Sequence, residues 1–163
     1  MKDKVVIRKY EASDCAEIIK LFYNTVHEIN AKDYTKQQLD IWATGDVDLS
    51  VWDKSFLEHN TLVAEENNII VGFGDMDNNG YLDRLFVHKD YQGKGIATSI
   101  IIELERQSKI HGISIFSTRA SITAKPFFFF FCYHVVSENK VIRNGVELIN
   151  FIMEKHLASF RCF

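Results

Sequence analysis

The sequence predicts a single α+β domain over residues 1–157, a mixed and mostly antiparallel twisted sheet flanked by helices on both faces, with a short tail at 158–163. Three observations carry that prediction. Strand-period segments at Thr61 to Glu66, Ile69 to Gly74 and Tyr81 to Val87 follow one another across short polar turns. A glycine-containing turn then leads from Val87 into a helical pattern, with Ile96, Ile100, Ile101, Leu104 and Ile110 spaced near the helical period. Near the end, Asn144-Gly145 joins two long strand-like runs, a strong hairpin signal.

The elements follow in order. Val5 and Ile7 alternate with polar neighbours, a first strand across Val5 to Lys9. Ser13 is placed to cap a helix whose apolar face is Ile18, Phe22, Val26 and Ile29, widened by Ile19. Thr35 and Gln38 have capping-box spacing and open a second helix with Leu39 and Trp42. Gly45 to Ser50 reads as loop, and a short helix behind a Ser50 cap holds Trp52, Phe56 and Leu57. Asn67-Asn68 tolerate positive φ and make a hairpin turn between the next two strands. After the turn at Asp77 to Gly80, the third strand and the glycine loop, the long helix ends before Gly112. A strand at Ile113 to Ser117, a helix over Thr123 to Phe131, and strands at Tyr133 to Arg143 and Val146 to about Lys155 complete the chain.

A chain of 163 residues is long enough to bury a proper core, and 47% apolar with 25% charged residues is ordinary for a soluble globular protein. The net charge of −3 gives no reason to expect a nucleic-acid partner or an anionic membrane. Cys15, Cys132 and Cys162 are odd in number and widely separated, matching neither a disulfide framework nor a zinc pair. With no signal-peptide pattern and no long apolar stretch, a cytoplasmic protein is expected.

The run Asp90-Tyr91-Gln92-Gly93-Lys94-Gly95-Ile96-Ala97-Thr98 is the most informative stretch. A turn from a strand into a helix leaves backbone N–H groups free at the positive end of the helix dipole, which suits a phosphate or pyrophosphate. Gly93 and Gly95 lack Cβ atoms, so a ligand can approach the main chain. A dinucleotide fingerprint needs a third glycine where Thr98 stands, and the P-loop spacing is absent. The run resembles instead the acyl-CoA pyrophosphate loop of the GNAT superfamily of N-acetyltransferases, Gln/Arg-x-x-Gly-x-Gly/Ala, with Gln92, Gly95 and Ala97 in the defined positions. Ser121-Ile122-Thr123-Ala124-Lys125-Pro126-Phe127-Phe128 resembles the family's later segment: a small polar residue, two spacers, Ala, two spacers, then Phe or Leu followed by Tyr. Val63-Ala64-Glu65 and Ile70-Val71-Gly72-Phe73 are similar to its paired strands, and the order of elements matches a GNAT-like fold along nearly the whole chain.

The resemblance implies an acetyl-CoA-dependent N-acetyltransferase. Its donor would lie in a splay between the strand ending at Val87 and the strand at Ile113 to Ser117, with Leu85, Phe86 and Val87 pairing along the pantetheine arm. Gln92, Gly93, Lys94, Gly95, Ile96, Ala97 and Thr98 would hold the pyrophosphate, chiefly by main-chain N–H, with Ser121, Ala124, Phe127 and Phe128 completing the cofactor side. An N–H near Phe86 or Val87 would polarise the thioester carbonyl.

The pattern departs at Phe128, where many members carry a tyrosine that protonates the leaving thiolate. That role is then dispensable, missing, or filled by a nearby group such as Tyr133 or a water; core packing with a wetted hydroxyl is the competing role of Tyr133. Cys132 replaces the usual glycine and, behind five consecutive phenylalanines, is expected to be buried and inert. Most of Phe127 to Phe131 should be core, with one or two lining the acyl pocket.

Asp83, in an otherwise apolar run, is the first candidate for the general base, with a salt bridge to Arg84 as its alternative role. His27 has the most useful intrinsic pKa and is the second, a surface or capping histidine being the bland reading. Tyr23, His27, Glu28, Asn30, Tyr34 and Trp42 are expected around the acceptor, with Trp52 as a further aromatic wall or packing anchor. The six histidines show no pair at ligand spacing, so no metal is expected. The acceptor is a small-molecule or peptide amine of undefined identity. The protein is expected as a monomer or homodimer, the latter through the final hairpin. The alternative function is a CoA-binding sensor or interaction module with weak or no transferase activity.

Overall fold

The computed structural model describes residues 4–157, so the tail expected at 158–163 lies outside the described residues. Seven strands form one sheet in the order β1-β2-β3-β4-β5-β7-β6, antiparallel throughout except for the β4–β5 pair. The strands are β1 Val6–Lys9, β2 Asn60–Glu66, β3 Ile69–Met76, β4 Tyr81–Val87, β5 Ile115–Ser121, β6 His134–Arg143 and β7 Val146–His156. The helices are α1 Cys15–Glu28, α2 Lys36–Trp42, α3 Leu49–Glu58, α4 Ile96–Ile110 and α5 Lys125–Phe130.

Strand alternation divides the core into two layers. Val63 of β2 joins Ile18, Phe22 and Val26 of α1 on one face. Its neighbours Leu62 and Ala64 join Ile96, Ile100 and Leu104 of α4 on the other. The turns are where the sequence places them. Asn67 and Asn68 have φ of 51° and 63°, and Asn144 and Gly145 have 49° and 75°, the left-handed pairs that tight hairpins need. Gly72 lets α4 settle closely on the sheet, because a Cβ there would stand 2.8 Å from Ile96 Cγ2.

Several local expectations are corrected. Ser13 caps nothing: Glu11 and Asp14 form a capping box on a short 3-10 turn over residues 12–14, which feeds α1. The cap of α3 is Asp48, whose carboxylate accepts from the Ser50 N–H at 2.9 Å, not Ser50. The capping box of Thr35 and Gln38 is present as expected. β5 runs later than Ile113 to Ser117, because Gly112 and the two residues after it finish the exit from α4. Within the Phe127 to Phe131 run, Phe128 is buried, but Phe129 and Phe130 are 51% and 80% exposed, since a six-residue helix against one sheet face hides only one side. Cys132, at φ 70°, is half-buried rather than buried and is not a free thiol, so the unpaired reading of the cysteines does not hold for it. Cys15 is free and buried.

Candidate active site

Only Tyr81↔Ser117 and Leu82↔Thr118 pair β4 with β5; beyond them the two strands part. The backbone of β4 after Leu82 therefore has no strand neighbour on the β5 side, and the parting opens a cavity of about 530 Å³. That size suits an organic ligand. Leu85, Phe86, Val87, Gln92 and Ala97 line it from one side, and Ser121, Ala124, Phe127 and Phe128 from the other.

The glycine loop meets this cavity at its rim. Gly93 and Gly95 have φ of 72° and 78°, which favours glycine, and a Cβ at either would meet open space. The first backbone bond of α4 runs from Ser99 N–H to Gly95 carbonyl, so the N–H groups of Ile96, Ala97 and Thr98 have no acceptor within the helix. Such a cluster of main-chain donors at a helix start is suited to an anion. The Gln92 side chain is not turned to that cluster: its Nε2 donates to the Val87 carbonyl at 2.7 Å. The Thr25 hydroxyl donates to the same carbonyl at 2.9 Å, tying α1, the loop and the end of β4 together. Lys94 Nζ lies 4.8 Å from the Tyr91 ring centroid. Ser121 Oγ accepts from Ala124 N–H at 3.0 Å and shapes the turn into α5.

Asp83 lines the cavity at a β-bulge. Asp75 pairs with Arg84 and Met76 with Leu82, so Asp83 is the extra residue of β4. Its side chain remains 39% exposed, with Arg84 Nη2 at 3.3 Å. Partial burial raises its pKa above the ordinary carboxylate value; Arg84 opposes the shift and Asp75 adds to it. Arg84 is mainly committed elsewhere, donating from Nε and Nη2 to the fully buried Asp75 at 2.8 to 3.2 Å and stacking over Phe56 and Trp52. Asp75 is also 2.8 Å from His59 Nδ1, which raises the histidine's pKa.

The acceptor candidates divide by helix phase. Phe22 and Thr25 of α1, Ile29 that caps it and Asn30 just beyond line the cavity with Tyr34, Trp42 and Trp52. The Tyr34 hydroxyl donates to Ile149 carbonyl and accepts from Ile122 N–H, so it braces the wall. Tyr23 and His27 do not line the cavity. One helical turn apart, they stack on each other at 4.2 Å on another side of α1, and His27 Nε2 lies 2.8 Å from the Ala43 carbonyl. Glu28 is exposed near Lys89. Tyr133 is not at the cavity either. It is 1% exposed, its hydroxyl donates to Glu105 at 2.8 Å, and burial with the Glu105 charge raises its pKa, so it stays protonated within the core. Phe128 stands beside the Tyr133 ring, with 5.2 Å between centroids, and offers no hydroxyl to the cavity.

Pairing also gathers groups that sequence spacing does not reveal. His134, Glu154 and His156 share one face of the β6–β7 ladder, with potential ligand atoms within 4.8 Å, and His59, Asp75 and Asp83 form a second such group. In the second group, the Arg84 guanidinium already neutralises Asp75. What sequence reasoning missed here is the bulge and the Arg84–Asp75–His59 network; Asp75 and Arg84 stand in strands whose register alone brings them together.

Comparison with known proteins bears on this geometry. Residues 30–155 match the family model of the GNAT acetyltransferase domain. The chain is 30% identical over 151 residues, 93% of its length and 95% of the relative's, to the uncharacterized N-acetyltransferase YafP of Escherichia coli (strain K12). A crystal structure of an N-acetyltransferase from Rhodopseudomonas palustris superposes with a TM-score of 0.90 at 30% identity, covering 96% of this chain and 99% of that one. The PaiA N-acetyltransferase of Thermoplasma acidophilum, solved with coenzyme A, has a TM-score of 0.78 at 19% identity, covering 94% and 99%. YncA of Salmonella typhimurium, solved with acetyl-CoA, has 0.71 at 19%, covering 94% of each. The last two speak to the fold alone. Among the described residues no helix is long and apolar enough to cross a membrane. With a matching family model over most of its length, a relative aligned almost end to end, and the strand parting and helix-start cradle in place, the chain belongs to the GNAT family of acetyltransferases.

Proposed function

We propose that the chain moves an acetyl group from acetyl-CoA to a primary amine of a small molecule or peptide, by direct attack in a ternary complex. The observation that carries this reading is the parting of β4 from β5 after Leu82, beside the free N–H groups of Ile96, Ala97 and Thr98 and with Asp83 in the cavity wall. The open space over Gly93 and Gly95 fits a pyrophosphate, and the unpaired side of β4 at residues 85–87 fits the amide-bearing pantetheine arm.

Acetyl-CoA, when bound, supplies an acyl carbon activated as a thioester. Asp83 takes a proton from the acceptor's ammonium, directly or through one water, so that the amine's lone pair is free to form the new N–C bond. A backbone N–H near Phe86 or Val87 steadies the charge on the carbonyl oxygen. As the C–S bond breaks, the sulfur leaves as a thiolate; the new amide nitrogen gives up its second proton to solvent, and the thiolate takes one up from solvent. An alkyl thiol, about 8.5 in pKa for cysteine, is a far better leaving group than an alcohol and can leave without a positioned acid, which makes Phe128 compatible with turnover.

Phe128 also supports a second reading, a CoA-binding sensor or interaction module with weak or no transfer. Two measurements separate the readings: thermal melts with and without acetyl-CoA, beside Gly95→Trp, and release of free thiol across a panel of amines. A ligand at 100 times its Kd adds roughly 2.7 kcal/mol, so wild type should shift clearly and the blocked variant should not. Thiol release with any amine supports the transferase. A shift with no release across the panel supports the sensor, and no shift at all removes both.

A further inference from the structure

Among the described residues, four charged ones line the cavity: Asp83, Arg84, Arg119 and Arg143. Arg84 is taken by Asp75 and Asp83. Arg119 and Arg143 form no ion pair and no side-chain hydrogen bond with any described residue. The cavity thus carries surplus positive charge in a chain whose net charge is −3. Two observations place these arginines on the acceptor side. Phe116 and Ala120 of β5 are buried in the α4 layer, so alternation turns Arg119 toward the α1 layer. Arg143 is two residues from Val141, which packs in the α1 layer, and pairs across the ladder with Val146. Arg119 is also close enough to Tyr81 to oppose the influence of Asp83 on that hydroxyl, which places it near the candidate base.

The other walls of this side are flat and apolar. Phe22 packs against Trp52 and Phe86 at 5.0 and 4.9 Å, and Trp42 lies 6.4 Å from Phe86. Asn30 is 5% exposed, lines the cavity, and its side chain makes no hydrogen bond to a described residue. The geometry points to an amino-acid-like acceptor: a primary amine that also bears a carboxylate, on an apolar or aromatic body. The carboxylate meets Arg119 and Arg143, the body lies on the aromatic wall, and the amine reaches Asp83. Arginine suits this task because its planar fork matches a carboxylate. Polycationic amines are disfavoured by the same charges.

This inference rests on the transferase reading of the cavity, and its test separates the two. Trp42 and Trp52 are the only tryptophans of the chain, and both line the cavity, so intrinsic fluorescence reports occupancy without turnover. The full chain, saturated with CoA, is titrated with N-acetylphenylalanine and with N-acetylphenethylamine, which differ by the carboxylate. The same pair is run on Arg119→Gln, Arg143→Gln and the double variant. Wild type should bind the carboxylate-bearing ligand about tenfold or more tightly, and the double variant should lose that preference while its affinity for CoA is unchanged. Equal affinities in wild type, a preference surviving in the double variant, or no quench by either ligand overturns the inference. So does weakened CoA binding in the variants in place of lost preference, which would assign the arginines to the donor's phosphates. Turnover of phenylalanine against phenethylamine is followed in parallel. A carboxylate preference in binding with no turnover would fault the transferase reading and leave the arginines as the site of a carboxylate-bearing ligand.

Discussion

Gln92 Nε2 donates to the Val87 carbonyl across 2.7 Å, and this bond anchors the glycine loop to the end of β4. The side chain of the motif's first residue therefore acts on the protein's own backbone, while the main-chain N–H groups at the start of α4 are left open. Gln92→Ala is expected to keep the fold and to weaken acetyl-CoA binding about fivefold, matching a hydrogen bond of roughly 1 kcal/mol. Isothermal titration checks it; unchanged affinity would show that the loop holds its shape without the tie.

Gly72 controls how near α4 comes to the sheet. An added Cβ would stand 2.8 Å from Ile96 Cγ2, 3.2 Å from Ile100 Cδ1 and 3.3 Å from the Phe86 carbonyl. Gly72→Ala should cost about 1–3 kcal/mol by overpacking, which in a domain this size lowers the melting midpoint by roughly 2–4 °C per kcal/mol. Because Ile96 is the first residue of α4, acetyl-CoA binding should weaken alongside stability. Gly112→Ala, at φ 83° and with a Cβ that meets open space, is the control that bears only backbone strain.

Asp83 must be ionised to accept a proton. Burial raises its pKa above the usual carboxylate value, so kcat/KM should fall as pH drops through that raised pKa. Asp83→Asn should lower kcat by about 10²-fold or more at neutral pH, leave acetyl-CoA affinity in place, and abolish the acid limb. A variant that keeps both rate and limb would leave Asp83 as the partner of Arg84 alone.

His59 gives a pH-dependent stability of defined sign. Its hydrogen bond to Asp75 raises its folded pKa above the unfolded value. Its charge-dependent stabilisation is therefore complete below about pH 6.5, the ordinary imidazole value, and is lost as pH rises through the folded pKa. The melting gap between wild type and His59→Gln should be widest on the acid side of that point and narrow as pH rises through the raised folded pKa. A gap that widens with pH would contradict the pairing.

The turns, the two glycines of the loop and the order of strands and helices were legible in the chain because each rests on local chemistry. Asn67-Asn68 and Asn144-Gly145 tolerate left-handed backbone, Thr35 and Gln38 cap each other, and an apolar period near 3.6 runs through α4. The caps of α1 and α3 were less legible, since serines and aspartates stand together at both places and the final geometry selects among them.

The sequence by itself determined the order of elements, the family and the place of the glycine loop, all of which show in patterns along the chain. Only the tertiary structure decided which side chains share the cavity. Helix phase sends Phe22 and Thr25 inward and leaves Tyr23 and His27 outside. A single unpaired residue on β4 gives Asp83 its exposure, and strand register joins Asp75 to Arg84 and turns Arg119 and Arg143 toward one cavity. Those relations join residues far apart in sequence, and one residue of slip in a register would send each side chain to the other face of the sheet.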